Sequence, residues 1–205
     1  MHIEILNNNQ KQLLPFIKKY KRSYYLVGGT AIALHIGHRH SVDFDLFTEK
    51  KINFTSVKKD VAVSGFPSTI ITALSDQIHF IIHDVKLTFF EFPFLVEANE
   101  GYEGYLRMPD LISLAAMKAF ALGGRGKWKD YVDLFFLIKG FFSINEISDK
   151  AKELFQDSFN PILFRKQLCY FGDINYSEQV VFLPGFETEE TTIKDFLTEA
   201  ALTGF

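Results

Sequence analysis

Tyr24-Tyr25-Leu26-Val27-Gly28-Gly29-Thr30, followed by Ser41-Val42-Asp43-Phe44-Asp45-Leu46-Phe47, is the stretch whose reading decides the fold. The first run is short and strand-like, and two glycines stop it. Thr30 to Ile36 is small and apolar on nearly every side, which predicts a short helix buried against a sheet. The second run alternates strictly, with Val42, Phe44 and Leu46 on one face and Asp43 and Asp45 on the other, so it predicts a strand with one acidic face. Any half-exposed strand shows polar residues at alternate positions, so the aspartates alone carry little. Their setting carries more. Two carboxylates this close repel when both are ionised and partly buried, and a shared cation relieves that repulsion. The pair suits Mg²⁺, with Mn²⁺ as a substitute, because Mg²⁺ takes one or two carboxylates and completes its shell with water and substrate phosphates. Upstream, Gly28 and Gly29 lack a Cβ, so a phosphate chain can approach the backbone. The free N–H groups of the helix start, with the Thr30 hydroxyl, make an anion site there. A phosphate cradle and a metal-holding acid pair on strands joined by one short helix form a phosphoryl-transfer constellation.

Outward from this stretch the pattern is mixed α/β and then helical. Leu13, Leu14, Phe16, Ile17 and Tyr20 recur at helical spacing and predict a leading amphipathic helix over 7–22. A helix is expected over 52–64, then strands over 69–73, 77–83 and 86–92, linked near Ser75-Asp76 and Asp84-Val85. Pro109 is expected in the first turn of a helix running to Leu122, which Gly123-Gly124-Arg125-Gly126 breaks. Further helices are expected over 128–139, 144–155, 161–171 and 191–202. The fold class is therefore α/β: a mixed sheet with flanking helices over 1–104, followed by a helical lobe over 105–205.

Composition sets the outer limits. A chain of 205 residues with 47% hydrophobic residues, 23 Phe and 6 Pro can bury a substantial core and has no compositional case for disorder. Its apolar runs are too short for a membrane span and the N-terminus lacks an apolar signal core, so a cytoplasmic protein is expected. The single Cys169 excludes an internal disulfide and a Cys-rich zinc site, and reads as a small buried hydrophobe. A net charge of −3 leaves any polyanion partner dependent on local basic patches, such as Lys18-Lys19-Tyr20-Lys21-Arg22 and Arg125-Gly126-Lys127-Trp128-Lys129. His35 with His38, and His79 with His83, lack a third ligand at metal spacing and read as ordinary polar residues.

The stretch Leu26 to Leu34, with His38-Arg39, Ser41, Asp43 and Asp45-Leu46-Phe47, closely resembles the start of the AbiEii/AbiGii toxin family, nucleotidyltransferases of the DNA polymerase beta superfamily. Pro109-Asp110-Leu111, Lys118-Ala119, Arg125, Lys129-Asp130-Tyr131 and Asp133-Leu134 resemble the family's second block, so the likeness covers roughly residues 24–138. The resemblance implies a nucleotidyltransferase-type mixed sheet over 1–104, with the helical lobe over 105–205 completing the nucleotide cleft. It also implies transfer of a nucleoside monophosphate from an NTP to an acceptor, RNA or protein, by a toxin paired with an antitoxin protein. It implies Mg²⁺ on Asp43 and Asp45, phosphates at Gly28, Gly29 and Thr30, Lys118 on the triphosphate, and Asp130 or Asp133 completing the site.

Several of these residues also have plainer readings. Lys118, on an otherwise apolar helix face, either snorkels to solvent or meets an anion. Arg39 either binds phosphate or neutralises the aspartates, and Ser41 either orients the strand end or is an ordinary loop residue. Asp130 and Asp133 also fit as first-turn carboxylates favoured by the helix dipole.

In one respect the chain departs from the family pattern. Such enzymes present a third carboxylate from a later strand, and the position aligned with it here is Thr88. Glu91 is nearby but has the opposite strand parity. The alternative function is accordingly a catalytically degenerate nucleotide-binding module that acts through a protein partner.

Overall fold

The computed structural model describes residues 1–203 and divides the chain into two compact units, Met1–Asp110 and Leu111 onward. The division falls slightly beyond the change of pattern at residue 104, because a small hairpin closes the first unit.

In the first unit, Asn7 starts α1 (Asn8–Ile17) with a capping box: its side chain accepts from Gln10 N–H, and Gln10 Oε1 accepts from Asn7 N–H. Pro15 removes one donor from α1, which gives way to a single 3-10 turn at Lys18–Tyr20, so the α-helix ends short of the expected Arg22. Next come β1 (Tyr25–Val27), α2 (Gly28–Ile36), β2 (Asp43–Thr48) and α3 (Phe54–Ala62). They are followed by β3 (Ser68–Ala73), β4 (Gln77–Ile82) and β5 (Val85–Glu91). The five strands form one sheet in the order β1-β2-β5-β4-β3. Only β2 and β5 pair in parallel, since α3 and the β3–β4 hairpin intervene between them. β4 and β5 are joined by His83-Asp84, both at positive φ (51° and 62°), the conformation of a tight primed hairpin turn. The chain thus turns one residue before the expected Asp84-Val85. A second, unexpected hairpin pairs β6 (Glu100–Tyr102) with β7 (Leu106–Met108).

The sheet's two faces differ in chemistry. One face of β5 carries Val85, Leu87 and Phe89, all at 0% exposure. Phe89 meets the rings of Tyr20 and Tyr24 edge-on at 4.8 and 5.3 Å between centroids, which locks the chain following α1 onto the sheet. The other face carries Asp43 and Asp45. Val42, expected to share the apolar face of β2, precedes the strand and is 57% exposed. The alternation it continued is real, but the ladder starts only at Asp43↔Lys86.

The second unit is helical: α4 (Leu111–Leu122), α5 (Trp128–Gly140), α6 (Ile144–Phe155), α7 (Pro161–Leu168) and α8 (Glu190–Leu202). Pro109 lies before α4 rather than in its first turn: β7 runs to Met108, and Pro109 with Asp110 makes the connection to the helix. Ser143 and Glu146 box the start of α6, and Asn160 caps α7 with Pro161 at its first position. α7 ends at Leu168, short of the expected Phe171. Cys169 sits at that end, half-buried rather than buried, with its Sγ facing the carbonyls of Arg165 and Lys166. Among the described residues, no helix is long and apolar enough to cross a membrane.

Candidate active site

The acid strand is held by hydrogen bonds that local sequence makes available but does not reveal. Thr30, 2% exposed, points its hydroxyl inward to the Asp43 carbonyl and to Ser41 Oγ at 2.7 Å. A carbonyl can only accept, so Thr30 donates there and the Ser41 hydroxyl donates to Thr30. Gln10, fully buried, donates from Nε2 to the Ser41 carbonyl at 2.8 Å. Together they tie α1, α2 and the loop before β2 into one rigid approach to Asp43. The Thr30 hydroxyl, expected to meet phosphate, is thereby used inside the protein, and Ser41 takes the strand-orienting role of its two readings. Arg39, 3% exposed, donates from Nη1 to the His40 carbonyl at 3.0 Å in the same loop.

Asp43 and Asp45 are half-buried and project from the same face of β2. Val27 pairs with Asp45, so the chain leaves β1 directly beside that carboxylate. Gly28 follows at φ 73°, where a side chain is strained, and a Cβ there would lie 2.7 Å from Asp45 Oδ2. Gly28 and Gly29 open α2, whose N-cap Val27 makes no side-chain cap bond, so orphan N–H groups lie next to the carboxylates. Gly28→Ala is expected to cost about 1–2 kcal/mol in urea unfolding for the left-handed backbone, and to weaken Mg²⁺-dependent NTP binding by turning the Asp45 carboxylate. Unchanged binding with lowered stability would restrict Gly28 to a backbone role.

The ladder also places Thr88, the position aligned with the family's third acid. Asp45 pairs with Thr88 on β5, so Thr88 stands beside Asp45 on the acidic face. Glu91 lies on the opposite face, as its parity requires, and its Oε1 accepts from Ile52 N–H at 2.7 Å. Two further residues join the row, Lys86 and His79, the second of which reads in the sequence as an ordinary polar histidine. Lys86 pairs with Asp43 and His79 with Thr88, extending the polar row over three strands. Lys86 is placed by the register of β2 on β5, strands distant in sequence, and His79 by where the β4–β5 hairpin turns. Among the described residues, no three or more His, Cys, Asp or Glu side chains gather as metal ligands. Asp43 and Asp45 offer two hard carboxylates on one strand face, a donor set that would fit Mg²⁺ completed by water and phosphate oxygens.

Lys118, Asp130 and Asp133 come together within the second unit. The Lys118 ammonium, with its side chain 3% exposed, lies 2.7 Å from Asp130 Oδ1 and 3.0 Å from Asp133 Oδ2, both carboxylates at 0%. Arg125 Nε reaches Asp130 Oδ2 at 3.0 Å. Burial on its own would raise the Asp130 pKa, but Lys118 and then Arg125 outweigh it and hold the carboxyl below its ordinary range. Of the two readings of Lys118, the ammonium meets anions, and the anions seen are protein carboxylates. Asp130 lies in the first turn of α5, as the helix-dipole reading has it, and both Asp130 and Asp133 are buried partners of Lys118.

A family model described as "Nucleotidyl transferase AbiEii toxin, Type IV TA system" matches residues 17–108. The match takes in the glycine run, the acid strand and Thr88, whereas Lys118, Arg125, Asp130 and Asp133 lie beyond it. An uncharacterized protein of Aquifex aeolicus, aq_aa25, is 31% identical over 155 residues, 73% of this chain and 74% of that protein. Among solved structures, MenT4, a nucleotidyltransferase toxin of Mycobacterium tuberculosis, is similar at a TM-score of 0.63 and 10% identity, over 95% of this chain and 81% of its own. JHP933 from Helicobacter pylori is similar at a TM-score of 0.53 and 23% identity, over 71% of this chain and 72% of its own. At these identities the two structures support the fold.

Proposed function

Because this chain belongs to the AbiEii nucleotidyl transferase toxin family, we propose that it moves a nucleoside monophosphate from an NTP to an RNA or protein acceptor, as the toxin of a toxin–antitoxin pair. The observation that carries this reading is the juxtaposition of Asp43 and Asp45 on one strand face with the Cβ-free turn at Gly28. Asp43 and Asp45 would hold Mg²⁺, which when bound supplies charge neutralisation at the triphosphate. The rest falls to the chain's own residues. Gly28 and Gly29 leave room for phosphate oxygens, and the orphan N–H groups at the start of α2 donate to them. Thr30, Ser41 and Gln10 keep the acid strand in place, so the carboxylates need no rearrangement when the nucleotide arrives. The Lys118 cluster is given no step in this reading.

One observation favours a second reading. With Thr88 beside Asp45 in place of a carboxylate, the site could bind nucleotide and act through a protein partner without turnover. Incubation with each α-labelled NTP, Mg²⁺, total cellular RNA and protein extract separates the two. Transfer of label to one acceptor class is expected. NTP binding with no label transferred to RNA or protein would establish the second reading instead.

A further inference from the structure

In addition to the acid pair, the face of the sheet carries a polar chain of three residues. Thr88 on β5 is paired with Asp45 on β2 on one side and with His79 on β4 on the other. His79 Nδ1 lies 3.0 Å from Thr88 Oγ1, and its Nε2 lies 2.7 Å from Oε1 of Gln77, two residues back on the same strand face. An amide oxygen only accepts, so the Nε2 position carries the ring proton. Nδ1 is then left with its lone pair toward Thr88, whose hydroxyl donates to it. Gln77 orients the imidazole, the imidazole polarises the threonine, and the threonine stands where the third carboxylate would.

We propose that Gln77, His79 and Thr88 form a proton relay that stands in for the absent third carboxylate. The inference rests on the nucleotidyl-transfer reading above. In the step it serves, the acceptor oxygen forms a bond to the α-phosphorus while the bond to the β-phosphate bridging oxygen breaks and pyrophosphate leaves with the electron pair. The acceptor's proton passes to Thr88 Oγ1 as the threonine's own proton passes to His79 Nδ1, and the imidazolium later returns a proton to water. Thr88 would touch the reacting hydroxyl; His79 acts through it and is a positioning residue.

The charges around His79 are compatible with a base at neutral pH. Burial lowers its pKa first, and Lys86 on β5 lowers it further. Asp45 on β2 and Asp76 just before β4 pull the other way, and the net shift is downward. From β3 the residue paired with His79 is Thr72, which carries no charge. The imidazole is therefore neutral near pH 7 and able to take a proton.

Two measurements test the relay. Imidazole nitrogen NMR of the full chain at pH 8 is expected to show Nε2 protonated and Nδ1 bare, with the Nδ1 signal moving in Thr88→Val. A protonated Nδ1 overturns the relay whatever the turnover. In the labelled-NTP assay, His79→Gln and Thr88→Val are each expected to lower kcat by about 10²-fold or more, with calorimetric affinity for Mg·NTP unchanged. Adding Thr88→Asp to His79→Gln is expected to recover the rate. It should also move the acid limb of the pH–rate profile from the imidazole range to the carboxylate range, which a merely structural histidine would not do. Transfer by His79→Gln at the wild-type rate and pH profile overturns the relay alone. Wild-type protein that binds Mg·NTP but labels nothing overturns the transfer reading and the relay together.

Discussion

Replacing both acids, Asp43→Asn with Asp45→Asn, is expected to abolish Mg²⁺-dependent NTP binding and label transfer. The two carboxylates are the only chemistry on this face of β2 suited to a hard cation, and an amide oxygen is a far weaker ligand than a carboxylate. Loss of several kcal/mol of metal-mediated interaction corresponds to about three orders of magnitude or more in affinity or rate. The fold should tolerate the change. Both side chains are half-buried, the substitution preserves their shape, and the strand is anchored through the backbone carbonyls of Asp43 and Ser41, which are unaltered. Calorimetric titration of Mg·NTP, with urea unfolding as the control, checks both halves. Unchanged affinity in a folded double variant would rule out the acid pair as the metal site.

Lys118→Met is expected to act on stability. Breaking a buried ion pair by removing one partner costs about 3–5 kcal/mol, because desolvated charge is left behind. Here one ammonium serves two carboxylates at 0% exposure, while the remaining cation near Asp130 is Arg125, whose side chain is 49% exposed. The pH dependence follows from the direction of the Asp130 shift. With its folded pKa held below the usual carboxylate value, its contribution is fully present above that value and is lost as pH falls through the folded pKa. In the variant, burial opposes the ionised Asp130 without its main counter-ion and pushes its carboxyl pKa up, so the penalty is greatest at neutral pH and relaxes in acid. Urea unfolding at pH 7 and pH 4 should therefore show the gap between wild type and Lys118→Met narrowing at the lower pH. A gap below 1 kcal/mol, or one that does not change with pH, would contradict the assignment of Lys118 as the cluster's counter-ion.

The legibility of the site in the sequence depended on how far apart its parts lie along the chain. Asp43 and Asp45 sharing a face, Gly28 closing a strand, and Glu91 pointing away were all readable, since each concerns strand parity or a missing Cβ between near neighbours. The inward turn of the Thr30 hydroxyl was not, because its partners lie in the loop and strand beyond α2. Nor was the coupling of Lys118 to Asp130 and Asp133, which depends on how α4 meets α5. Gln10 shows the same limit: its capping-box half was a local pattern, while the half that anchors the Ser41 carbonyl was not.

The sequence by itself determined an α/β unit with a strand-glycine-helix turn and an acidic strand face, and it placed Thr88 where an acid was expected. Local periodicity is enough for that, because φ, ψ and side-chain parity are set within a few residues. Only the tertiary structure decided what stands beside what. The parallel register of β2 on β5 sets Thr88 against Asp45, and the antiparallel register of β4 on β5 sets His79 against Thr88. Those registers are fixed by burying Leu46, Leu87, Phe89, Ile78 and Phe80 on the sheet's other face. A slip of one residue would exchange the faces, so the core chooses which polar groups meet at the site.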